Sequence, residues 1–97
     1  MMKRQGDLLI VKIKNIPQDA IKQESKVLAE GEATGHMHEL DSGEVYEKEG
    51  ILYFKVAEGS VSTLNHPEHK AIEFESGEYK VIRQREYEPR GWRVVRD

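Results

Sequence analysis

The sequence predicts a small all-β fold, a single antiparallel barrel or roll of about eight short strands spanning residues 1–97. Three observations carry that expectation. Apolar residues alternate with polar ones in short runs, as the period-2 geometry of a strand requires. Turn-forming Gly, Pro, Asn and Asp recur every few residues, which is the spacing of short strands in a sandwich or barrel. The chain has only 97 residues, enough for one compact core with little to spare.

Asp7 to Lys14 reads as the first strand. Leu9, Val11 and Ile13 form the cleaner buried face, because Lys12 and Lys14 fall on the other. Asn15 to Asp19 breaks the strand, with Pro17 removing a donor and biasing Ile16 away from helix. Residues 20–31 admit two readings. Ala20, Ile21, Val27 and Leu28 share one helical face with Gly31 as a stop, but Glu24 sits in the middle of that face. A turn followed by a strand over Ser25 to Ala33 is the preferred reading.

Val45 to Glu47 and Ile51 to Val56 flank Lys48-Glu49-Gly50, the pattern of a hairpin. Within the second arm Leu52, Phe54 and Val56 face the core. Ser60 to Asn65 is a further strand. Ala71 to Glu75 and Glu78 to Glu88 flank Ser76-Gly77 and suggest a second hairpin. Trp92 to Arg96 forms a short last strand.

There is no cysteine, which excludes disulfides, thiolate metal sites and cysteine nucleophiles. No run approaches the roughly 20 apolar residues of a membrane span, and the apolar stretch Leu8 to Val11 is too short for a signal sequence. A cytoplasmic location is expected. The net charge is −3 with both signs interspersed, which argues against a general grip on nucleic acid. Many Glu and Lys without Cys resemble thermophile composition.

All four histidines fall in two close pairs, His36-Met37-His38 and His66-Pro67-Glu68-His69. Residues two apart on a strand share a face, and a Pro-containing turn can bring His66 and His69 to one point. Imidazole binds zinc, iron, nickel and copper without help from thiolates. His36, His38, His66 and His69 are therefore candidate ligands of a divalent transition metal. Histidines beside Gly and Pro also serve simply as hydrogen-bonding turn residues.

Two resemblances bear on this cluster. Gly31 to His38 with Glu44 beyond resembles the first metal motif of the cupin family, in which a glycine precedes an H-x-H pair and a glutamate follows. That resemblance implies His36, His38 and Glu44 as ligands. Thr34-Gly35-His36-x-His38, His66-x-Glu68-His69 and Gln84-Arg85-Glu86-Tyr87 together are similar to a group of small uncharacterised bacterial and phage-associated proteins. That second resemblance implies no activity.

Tyr79 to Tyr87 carries charge on both faces. Such a strand is either a solvated edge or a contact with another subunit, where Arg forks and aromatic rings are enriched. Arg83, Arg85, Tyr87 and Trp92 are the candidate interface residues. Arg83, Arg85, Arg90, Arg93 and Arg96 with Tyr87 and Trp92 would suit stacking on single-stranded RNA, but Glu86, Glu88 and Asp97 dilute the field. No nucleophile elbow or phosphate-binding glycine loop is present. Catalysis would rest on the histidines alone, as a metal-dependent hydrolase or dioxygenase. Two functions follow: a self-assembling homo-oligomeric binding or structural module, or a His-ligated metal-binding protein.

Overall fold

A computed structural model describes residues 2–30 and 36–83. Ten strands occur among these residues, and no helix. They are β1 (Met2–Gln5), β2 (Leu8–Ile13), β3 (Ile21–Gln23), β4 (Val27–Glu30), β5 (Met37–Leu40), β6 (Glu44–Lys48), β7 (Ile51–Val56), β8 (Ser62–Asn65), β9 (Ile72–Phe74) and β10 (Gly77–Arg83). They form two antiparallel sheets, a six-stranded one ordered β1-β2-β10-β7-β6-β3 and a four-stranded one ordered β4-β5-β8-β9. The all-β expectation holds. Among the described residues the strands make two separate sheets rather than one closed barrel.

The sheets share one core. Leu8, Ile10, Val45, Phe54, Val56, Tyr79 and Val81 come from the larger sheet, and Leu28, Ala29, Leu40, Leu64 and Phe74 from the smaller. Three rings sit at its centre. Phe54 stacks on Tyr79, its direct cross-strand partner, at 4.8 Å between centroids. Phe74 meets Phe54 at 5.3 Å and Tyr79 at 5.2 Å, edge to face. Such pairs add about 0.5–1.5 kcal/mol each beyond their buried area, and these join the two sheets. The Tyr79 hydroxyl is not orphaned by burial, because it donates to the Glu75 carbonyl at 2.7 Å.

The β6–β7 hairpin forms as expected, with Lys48 opposite Ile51. Its two turn residues, Glu49 and Gly50, have φ of 52° and 82°, the positive pair that matches the twist of the flanking strands. Residues 27–30 of the ambiguous segment are strand, as preferred. A register shift between Val27 and Ala29 marks a bulge, which lets the consecutive residues Leu28 and Ala29 both reach the core.

Several expectations are corrected. The core face of β2 is Leu8 and Ile10, not Leu9, Val11 and Ile13. Lys12 does not mark a solvent face, because its stem lies over Gly77 while its ammonium pairs with Glu75 at 3.2 Å. β10 is not an edge strand. It pairs with β2 from Glu78 to Arg83 and with β7 from Gly77 to Lys80, so its charged residues flank buried Tyr79 and Val81. β9 and β10 are not a hairpin, since Phe74 pairs with Ser62 in the smaller sheet and Gly77 with Val56 in the larger. Finally, Met2 to Gln5 is a strand. Ile21–Gln23 is also a short strand, β3, where only the turn before Ser25 was expected. The expected last strand at Trp92 to Arg96, and residues 31–33 of the earlier one, lie outside the described residues.

Phe54→Ala removes the ring that touches both partners of this trio. It is expected to cost about 3–5 kcal/mol, read as a lowered urea midpoint, whereas Tyr53→Ala on the opposite face of the same strand should cost less.

Candidate functional site

The register of the smaller sheet brings the two histidine pairs together. β5 and β8 pair with Glu39 opposite Asn65 and Leu40 opposite Leu64. One step further along this antiparallel ladder, His38 faces His66. The closing pair Leu64–Ile72 then makes residues 65–71 a loop, which holds His66 and His69 over the end of β5.

The ring separations show the result. His38 and His66 are 4.3 Å apart between centroids, His66 and His69 4.5 Å, His36 and His66 5.7 Å, and His38 and His69 5.9 Å. His38 is buried on the core-facing side of β5, while His69 is exposed. The nitrogen Nδ1 of His36 lies 3.4 Å from the Glu68 carboxylate.

The β1–β2 turn forms the floor of the cluster. Gln5 pairs with Leu8, leaving Gly6 and Asp7 as a two-residue connection. Gly6 has φ of +60°, which suits a hairpin with glycine in the first turn position. A Cβ there would lie 2.9 Å from Nε2 of His69 and 3.2 Å from Cε1 of His38. Asp7 follows, its carboxylate 4.0 Å from Nε2 of His38 and 3.9 Å from the Arg83 guanidinium. Behind them the buried Gln5 amide contacts Nδ1 of His38 at 2.8 Å and donates to the carbonyls of Leu64 at 2.9 Å and Lys70 at 2.8 Å. One side chain thus clamps both ends of the histidine loop.

Burial, and next the neighbouring His66, push the His38 imidazole down from 6.5 to about 4, against the opposing pull of Asp7. Burial also lowers His66, with His69 and His36 adding to the effect. His38 is therefore neutral at pH 7, with a lone pair available to a cation. A shallow recess of about 410 Å³ opens beside the cluster, lined by His36, Met37, Glu39, Asn65, His66 and Pro67.

All four predicted histidines are brought together. Glu44, implied by the cupin resemblance, belongs to β6, where it accepts from the Tyr46 hydroxyl at 2.8 Å and pairs with Lys22 at 3.5 Å. The carboxylate facing His38 is Asp7 instead. Arg83 reaches Asp7 of its own chain, while Arg85, Tyr87 and Trp92 lie outside the described residues. Among the described residues, no three His, Asp or Glu side chains already stand as a finished metal ligand set.

Gln5, Gly6 and Asp7 escaped the sequence reading. Met2-Lys3-Arg4-Gln5 lacks apolar alternation, so the strand before the turn gives no periodic signal. The Gly6-Asp7 pair before an apolar run was the available clue.

A family model for a domain of unknown function (DUF8820) matches residues 4–84, and the chain belongs to that family. Neither a curated protein nor a solved structure matches it.

Two outcomes follow from the geometry. Gly6→Ala and Gly59→Ala both force alanine to a positive φ that L-residues disfavour by about 1–2 kcal/mol, but only at Gly6 does the methyl also press on His69, whereas at Gly59 it meets nothing within 4 Å, so Gly6→Ala should lower the melting temperature more than Gly59→Ala. In chelator-treated protein, unfolded His38 takes up a proton near pH 6.5 while folded His38 resists until about pH 4. Its contribution is intact above pH 6.5 and declines as pH falls toward 4, a loss of about 2 kcal/mol by pH 5. Urea midpoints at pH 7.5 and 5 should show this loss, and His38→Gln should reduce it.

Proposed function

We propose that this DUF8820 domain binds a divalent transition metal ion through its histidine cluster. The observation that carries the reading is the spacing of the imidazoles. Two imidazoles on one ion, each with its nitrogen at ~2.0–2.1 Å, place their ring centroids roughly 5 Å apart. His38 and His69 stand 5.9 Å apart, near that spacing, with the His66 ring beside both at 4.3 and 4.5 Å. Neutral nitrogen donors with one carboxylate suit zinc, nickel, copper or iron. The Gln5 contact to His38 is of the kind that orients a ligating imidazole from behind. A small rotation of exposed side chains such as His69 would complete the coordination.

Homo-oligomeric assembly remains a second reading. Among the described residues the strands β1, β3, β4 and β9 end the two sheets, and such edges pair readily with another copy. Light scattering of concentrated protein decides it, a monomeric mass counting against assembly.

For the metal reading, tag-free protein is dialysed against zinc and then against buffer, and retained metal is measured by elemental mass spectrometry. About one ion per chain and a raised melting temperature are expected, since an ion bound only by the folded state stabilises it. His38→Ala and His69→Ala should lose both effects. Wild-type protein that retains no zinc, nickel, copper or iron would refute the reading.

A further inference from the structure

The four histidines are not equivalent, because backbone and amide hydrogen bonds fix the protons of two of them differently. Nε2 of Gln5 has two N–H groups, and both are committed to carbonyls, of Leu64 and Lys70. Turning the amide round would aim its oxygen at two acceptors, so its orientation is determined. Oε1 therefore faces Nδ1 of His38 at 2.8 Å and requires a donor there. The His38 proton sits on Nδ1, and Nε2 is left as the lone pair.

At His66 the logic reverses. The backbone N–H of Glu68 donates to Nδ1 of His66 at 3.0 Å. A neutral ring with an accepting Nδ1 keeps its proton on Nε2, and that nitrogen cannot ligate while the proton stays.

We infer, resting on the metal reading above, that Nε2 of His38 is the principal ion ligand, that Gln5 is the positioning residue imposing its tautomer, and that His66 stands outside the ligand set as an Nε2–H donor. The ligand set is then drawn from His38, His69, His36 and Asp7. An N–H group beside the ion favours an oxygen ligand on the metal, such as water or a carboxylate, because that oxygen can accept from it.

The test uses the whole chain with ¹⁵N-labelled histidine. Long-range nitrogen–proton spectra of metal-free protein at pH 8 should show His38 protonated on Nδ1 and His66 on Nε2. Gln5→Met should release His38 to the other tautomer and weaken zinc by about tenfold or more, while Gln5→Glu, still an acceptor, should keep the Nδ1 proton. His66→Ala should retain zinc affinity within about threefold, where His38→Ala loses it. If Gln5→Met does not fold, the wild-type spectra and the two alanine variants still decide. Zinc binding with His38 protonated on Nε2, or lost equally in His66→Ala and His38→Ala, overturns this assignment and leaves the metal reading standing. Failure of the wild-type chain to bind any metal overturns the metal reading and the ligand roles with it, while the spectra still judge Gln5.

Discussion

The candidate site depends on one buried amide. Gln5 is nearly inaccessible to solvent and satisfies three polar groups: a ring nitrogen on β5 and a carbonyl near each end of the β8–β9 loop. A buried polar group without partners costs about 1–3 kcal/mol, so these four groups are held to one another. The constraint fixes the histidine loop over β5 and the orientation of the His38 ring. Gly6, the next residue, must then approach the imidazoles with no side chain of its own.

This arrangement works because the core beneath it is rigid. Phe54, Phe74 and Tyr79 join the two sheets, and Leu64 and Leu40, cross-strand partners below the histidines, are themselves buried. Close-packed interiors transmit little slack. The ends of β5 and β8 are therefore defined positions, and exposed His69 is the adjustable part of the cluster. The chain reaches this geometry by crossing between sheets at β3–β4, β5–β6, β7–β8 and β9–β10, so that hairpin-like sequences such as Ser76-Gly77 become sheet changes.

Much of this was legible in the sequence, and the parts that were not share a cause. Local composition and periodicity marked β2, β7 and β8, and Lys48-Glu49-Gly50 marked a hairpin loop, because those signals are set by neighbouring residues. Partner choice is not local. β10 lies in the middle of the sheet in spite of Lys80 and Arg83, since the alternate residues Tyr79 and Val81 fill the core. Lys12 hides a buried face because its stem packs while its charge reaches Glu75. For the site, H-x-H and H-x-x-H identified all four imidazoles, yet their convergence rests on the β5–β8 register. Asp7 and Gln5 enter through a hairpin whose first arm is polar. The cupin-like pattern pointed to Glu44, which follows His38 in sequence but belongs to a strand of the other sheet.

The central claim is that these imidazoles hold one ion together. X-ray absorption at the metal edge of zinc-loaded protein tests it most directly, because imidazole rings give a distinctive outer-shell scattering pattern. The account predicts at least two histidine ligands at ~2.0–2.1 Å, with the pattern lost in His38→Ala. A zinc ion surrounded by oxygen alone, or a spectrum unchanged by His38→Ala, would contradict it.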